Sequence, residues 1–162
     1  MGENMIDLRE VMRRWVTGVS IVTVESNSMR HGATVSSLAS VSVDPPLVTI
    51  SLSANSRTHQ MIQASGCFGV SLLALEQQPL AERFSGQVAD EHDRFDALAW
   101  EYIAKGIPVI SGALATLGCR VVHQYAMNNS TLFVAQVEAA ALGKDNSPLV
   151  YVNRAYRRLE EL

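Results

Sequence analysis

The chain has 162 residues, of which 48% are hydrophobic and 18% charged, and its formal net charge is −3. That length points to one domain spanning residues 1–162, and the apolar content is that of a globular chain, not a disordered one. The scattered basic residues exclude the basic face of a nucleic-acid binder, and no apolar run has the length of a membrane-spanning helix.

The N-terminus lacks the basic-then-apolar layout of a secretory signal, and Ile6 stands where a Met1-Gly2 acylation signal needs a hydroxyl. The expectation is a soluble, cytoplasmic protein. Leu8, Val11, Met12, Trp15 and Val16 fall on one helical stripe. Asp7 can cap this helix and Gly18 can end it, and its apolar face is expected to pack on the core or on another subunit. Val19 to Glu25 is β-branched enough for a strand, which Ser26-Asn27-Ser28 turns back into a second strand through Ser36.

From Gly32 to Thr58 the chain reads as two extended segments separated by Asp44-Pro45-Pro46, which needs only turn chemistry. Leu47 to Leu52 is a third strand, apolar on both faces. A short helix starts at Asn55 or Ser56, either of which can cap it, and ends near Ser65-Gly66. Cys67 to Leu73 is another strand. Glu76 to Phe84 is a second short helix, with Pro79 in its first turn. Ser85-Gly86 opens the polar run Ala89 to Asp96, which carries Asp90, Glu91, His92 and Asp93 and reads as a mobile or ligand-covering loop.

Ala113 to Tyr125 and Thr131 to Ala141 form a hairpin through Met127 to Ser130, Leu149 to Val152 is a last strand, and Arg154 to Leu162 is a polar tail of helical character. About seven strands and two or three helices imply a mainly antiparallel barrel.

Small hydroxyl residues crowd the two extended segments: Thr34, Ser36, Ser37 and Ser40 on one, Ser51, Ser53, Ser56 and Thr58 on the other. Arg57 adds a fork-shaped cation in the first turn of the short helix, whose unpaired N–H groups favour an anion. The pattern points to a phosphate-bearing cofactor on a β scaffold. The plain alternative is a set of solvent-facing hydroxyls with Arg57 as a surface helix residue. Cys67 and Cys119 lack CxxC spacing and read as small buried thiols. His31, His59, His92 and His123 show no metal spacing. His59 reads as a surface residue or a contact behind the site, and His123 as a structural strand residue. The sequons at Asn128 and Asn129 are expected to be unused.

His31-Gly32-Ala33-Thr34-Val35-Ser36-Ser37, Ser42-Val43-Asp44-Pro45-Pro46-Leu47-Val48 and Asn55-Ser56-Arg57-Thr58-His59 resemble the flavin reductase-like family. Gly69 to Ala74, Glu82-Arg83-Phe84-Ser85-Gly86, Asp93-Arg94-Phe95, Thr131-Leu132-Phe133, Leu149-Val150-Tyr151 and Arg154-Ala155-Tyr156-Arg157 continue the match in order. The resemblance implies a mainly β, antiparallel, Greek-key split β-barrel with short flanking helices. It implies FMN or FAD as cofactor, NADH or NADPH as reductant, and a homodimer with the site close to the subunit interface. Many members are the reductase component of two-component monooxygenases and supply reduced flavin to a separate oxygenase.

By the same resemblance, Thr34, Val35, Ser36 and Ser37 line the isoalloxazine, while Ser51, Leu52, Ser56, Arg57 and Thr58 face the ribityl phosphate. Ser85 and Gly86 reach the cofactor from the loop after the second helix. Many relatives carry Gly-Asp-His where this chain has Asn128, Asn129 and Ser130. The nicotinamide side then falls to His123, Asn129 and Ser130, with Arg154, Arg157 and Arg158 as candidates for the extra phosphate of NADPH. Hydride transfer between stacked rings needs no side-chain nucleophile, so no catalytic residue is assigned. The alternatives are a non-catalytic flavin carrier and an FMN-dependent oxidase on the same barrel.

Overall fold

The computed structural model describes residues 7–87 and 93–162. The predicted loop residues Ala89, Asp90, Glu91 and His92 lie outside the described residues, as do Met1, Gly2 and Ile6. In chain order the described residues form α1 (Leu8–Met12), β1 (Thr17–Gly18), β2 (Ser20–Ser26), β3 (Met29–Val35), β4 (Ala39–Val43) and β5 (Pro46–Ser53). α2 (Arg57–Ser65), β6 (Cys67–Leu72), α3 (Gln78–Arg83), β7 (Trp100–Ala104) and β8 (Ile107–Ile110) follow. β9 (Ala115–Ala126), β10 (Ser130–Leu142), β11 (Val150–Val152) and β12 (Ala155–Arg157) complete the set.

Seven strands make one antiparallel sheet in the order β3-β2-β6-β9-β10-β5-β4. β7 and β8 pair by themselves, and β1, β11 and β12 make a third small sheet. Side chains alternate across a strand, and β2 uses both faces. Val22 and Val24 enter a cluster with Ile50, Ile62, Phe68 and Phe133, whereas Ile21, with Val19 just before the strand, enters a second cluster with Leu73, Phe84 and Leu149. That double burial is why Ile21-Val22-Thr23-Val24 reads as an unbroken buried run. Thr23, fully buried, donates its hydroxyl to the Pro108 carbonyl of β8. β8 comes this close only because Gly69 of β6 has no side chain: a Cβ there would lie 2.2 Å from the Pro108 oxygen.

α2 carries its signals at both ends. The Ser56 hydroxyl accepts the His59 N–H at 3.2 Å, and Gly66, at φ 74, takes the left-handed closing position. The cap is therefore Ser56 and not Asn55.

Several expectations change. The apolar stripe runs to Val16, but α1 ends at Met12, because Thr17 and Gly18 pair with Tyr151 and Val150 and draw the chain into a strand. Leu8, Val11, Met12, Trp15 and Val16 all stay exposed, so within one chain this stripe is not core. The helical tail is instead β12, paired with β11, followed by chain without regular structure. Among the described residues twelve strands replace about seven: β1, β4 and β12 are short and exist by pairing, and the β7–β8 hairpin falls in a stretch where no element is expected. β5 is buried on one face only, through Val48, Ile50 and Leu52. Cys119 is buried but Cys67 is half-buried.

Candidate functional site

α3 is short, and the carbonyls at its end need donors from elsewhere. β3 supplies them. Thr34 donates its hydroxyl to the Ala81 carbonyl at 2.6 Å and its N–H to the Phe84 carbonyl at 2.9 Å. Ser85 closes the same turn through its hydroxyl to the Glu82 carbonyl at 2.7 Å. Gly32 lets the Phe84 ring lie against β3, since a Cβ there would be 3.0 Å from the ring. α3 is thereby docked so that Ser85 comes beside the end of β3, and Gly86, at φ 80, turns the chain away.

These contacts wall a cavity of about 670 Å³, within the roughly 300–1,000 Å³ of small-molecule sites. Thr34, Val35 and Ser36 form one part of the wall, and Glu82, Ser85 and Gln87 a second. The β11–β12 hairpin adds Tyr151, Arg154 and Tyr156, and Val19 the remaining apolar surface. Tyr151 and Tyr156 are register partners with ring centroids 5.3 Å apart. Burial, then the neighbouring Tyr151 and Glu82, raises the Tyr156 phenol above its ordinary value, so it stays a neutral donor. A recess of about 180 Å³ shares Val19 and Ser36 with the cavity and is otherwise mostly apolar. On its wall Thr17 Oγ1 is buried with no hydrogen-bond partner among the described residues.

The sequence-predicted residues divide into two groups. Thr34, Val35, Ser36 and Ser85 meet in the cavity wall, with Gly86 next in the chain. Ser37, Ser51, Leu52, Ser56, Arg57 and Thr58 do not line it. The Ser37 hydroxyl donates to the Ser51 carbonyl and accepts the Ser51 N–H, both at 3.0 Å, and so ties the end of β3 to β5. Leu52 points into the core, and Thr58 is fully buried with its hydroxyl 2.8 Å from His31 Nδ1. Ser56 caps α2. Arg57 is exposed at the helix start, beside the Met29 sulfur at 3.7 Å.

His59 is not a surface residue. It is buried, 2.8 Å from Thr131 Oγ1 through Nε2 and tilted against Phe133, because the third position of α2 faces the sheet. His123 is exposed on β9 and stacks with Tyr125, while Asn129 and Ser130 sit at the β9–β10 turn; none of the three lines the cavity.

Tyr151, Tyr156, Glu82 and Gln87 went unassigned in the sequence, although all but Gln87 lie in the motifs that carried the resemblance. Among the described residues the wall pairs no imidazole or thiol with a hydroxyl, so those side chains offer no nucleophile and base. What the described residues offer is a slot with apolar faces (Val19, Val35, two phenol rings), hydroxyl edges and the Arg154 cation. That suits a flat heteroaromatic ring system with polar edges.

Comparison with known proteins agrees with that fit. Residues 12–160 match the family model described as flavin reductase like domain. An NADH-dependent flavin reductase from Rhodococcus sp. is 37% identical over 160 residues, covering 97% of this chain and 88% of that protein. The reductase component of 4-hydroxyphenylacetate 3-monooxygenase from Thermus thermophilus is 32% identical, over 93% and 94% of the two chains. Among solved structures, the NADH:FAD oxidoreductase SgcE6 of Streptomyces globisporus C-1027, in complex with NAD and FAD fragments, superposes with a TM-score of 0.87. It is 30% identical and covers 98% of each chain.

Proposed function

This chain belongs to the flavin reductase-like family, and on that premise we propose that it is an NAD(P)H:flavin oxidoreductase that passes reduced flavin to a separate oxygenase component. The observation that carries the reading is the cavity itself: hydroxyl-bearing β3, the end of α3 and the tyrosine hairpin meet around a slot sized for ring systems. Bound flavin supplies the hydride-accepting chemistry, and the reduced nicotinamide is the donor. The chain's part is to hold, orient and keep water out. Val35 and Val19 give the apolar faces, Ser36 and Ser85 the polar edges. Thr34, whose hydroxyl donates its hydrogen bond to the Ala81 carbonyl, keeps lone pairs to accept from a ligand N–H. Arg57, at the capped start of α2, is the residue offered to the flavin phosphate, where helix polarity and guanidinium add.

The protein is further proposed to act as a single split-barrel domain, in the cytoplasm, as a homodimer. The uncovered stripe of Leu8, Val11, Trp15 and Val16 supports the dimer, since α1 also contacts the β11–β12 turn at the cavity.

Mixing the purified protein with FMN or FAD and either reduced nicotinamide should give catalysed loss of nicotinamide absorbance. Flavin binding without turnover would establish the carrier reading instead. Absence of both overturns the proposal.

A further inference from the structure

At the β11–β12 turn, backbone and side chain call for different residues. Val152 pairs with Ala155, which leaves Asn153 and Arg154 as the two central positions, at φ 51 and 59. Such a turn favours Asn first and Gly second, because a side chain in the left-handed region crowds its own backbone. Asn153 obeys the preference and is held in place: its N–H donates to the Arg13 carbonyl at 2.8 Å, and its Oδ1 accepts from Arg13 Nε at 3.2 Å. Arg154 does not. The β2–β3 turn has the same backbone at Asn27 and Ser28, but with a short side chain and no place in the cavity wall.

Packing does not explain the arginine. Its only ion pair among the described residues is with Glu10, at 3.7 Å, between two well-exposed side chains, an arrangement of little worth. What the position gives is a guanidinium in the cavity wall, where it is the sole cation among the described residues. The other charged group there, Glu82, is bonded to Gln78 at 2.9 Å. The flavin phosphate has its own candidate cation in Arg57, which does not line this cavity. A strained backbone retained at a site is a pointer to function.

Resting on the reductase reading, we propose that Arg154 is a specificity residue: it anchors the phosphate groups of the reduced nicotinamide dinucleotide in the cavity. Glu10 is the resident counter-ion that the dinucleotide displaces. The fork of a guanidinium matches phosphate oxygens in pairs, and the turn, clamped by Arg13 on its Asn153 side, presents it from a fixed base.

Arg154→Gly is the discriminating variant, because glycine relieves the turn while removing the cation. The thermal midpoint should stay or rise, and KM for NADH should rise about tenfold, the size of one charge-assisted contact. kcat should hold within about twofold, the pattern of lost uniform binding, and FMN affinity should change by less than KM does. Arg154→Lys should restore part of the KM at low salt, and Glu10→Gln should lower it about twofold. Parallel runs with NADPH locate the contact: equal losses place it on the pyrophosphate, and a loss confined to NADPH on the extra phosphate. Unchanged KM for both coenzymes overturns the assignment, as does weakened FMN with unchanged KM. Wild-type protein that oxidises neither coenzyme would sink the reductase reading itself, which is a different result.

Discussion

The two hydrophobic clusters are made from different parts of their elements, and they border the cavity unequally: the first reaches it through Val35, the second through Val19 and the tyrosines packed on it. The first takes Val22, Ile50, Phe68 and Phe133 from inside strands that are hydrogen-bonded to neighbours on both sides, with Ile62 from α2. The second takes its largest residues from element ends and connections. Phe84 closes α3, Leu73 follows β6, Leu149 precedes β11 and Phe95 lies in a turn, with Tyr151 and Tyr156 packed on top. Ladders position the first cluster; the second is held largely by single backbone bonds between connections, such as Leu149 N–H to the Leu73 carbonyl and Thr34 N–H to the Phe84 carbonyl, and by side-chain contacts. A ligand site that rests mostly on the second can differ between proteins through a few side chains without disturbing the seven-stranded sheet.

The sharpest way to break that contrast is to delete one phenyl ring from each cluster. Phe133→Ala and Phe84→Ala should each cost about 3–5 kcal/mol in urea unfolding. Only Phe84→Ala should also weaken flavin binding by the protein that remains folded, since it loosens the α3 end that Thr34 and Ser85 use. Equal flavin affinity in the two variants would erase the distinction. Gly69→Ala tests the seam between β6 and β8. The added methyl meets the Pro108 backbone, which cannot rotate away, and the expected loss is about 1–3 kcal/mol in the same unfolding measurement.

A smaller effect sharpens the first cluster's link to the flavin phosphate. Ser56→Ala removes the α2 cap and should cost about 1 kcal/mol, while Arg57→Ala leaves stability within about 0.5 kcal/mol. In titrations followed by flavin fluorescence, Arg57→Ala should weaken FMN more than riboflavin; equal losses would remove Arg57 from the phosphate.

The least visible effect belongs to Cys119, silent at neutral pH. Burial, then Glu138, pushes its thiol up to about 12 from 9.0. The folded state therefore keeps a proton that the unfolded state gives up. Stability is complete below pH 9.0 and falls as pH rises toward about 12, by at most about 1.4 kcal/mol per pH unit. Unfolding midpoints against pH should show that slope in the wild type and a shallower one in Cys119→Ala.

The parts of this fold that could be read from sequence are those whose signals are local. α2 announces both ends through Ser56 and Gly66, and the long β9–β10 hairpin carries its own turn. β1 and β12 are two and three residues long and owe their existence to β11, so nothing in their own composition marks them. β8 is buried because Gly69 and Thr23 receive it from more than thirty positions away in sequence. The site divides the same way. Thr34 to Ser36 and Ser85 stood out as small hydroxyls in a recognised order. Tyr151, Arg154 and Tyr156 join them only through a pairing with Thr17 and Gly18 across the chain, and the burial of His59 follows from a partner, Thr131, on another strand.

The two-sided burial of β2 has a thermodynamic consequence. Lifting that strand wets Ile21 and Val22 together, so neither half of the molecule has a melted form that leaves the other intact. Heating should accordingly give one calorimetric peak, with equal van't Hoff and calorimetric enthalpies. Backbone amides of residues 21–24 should then exchange with deuterium only through whole-molecule opening.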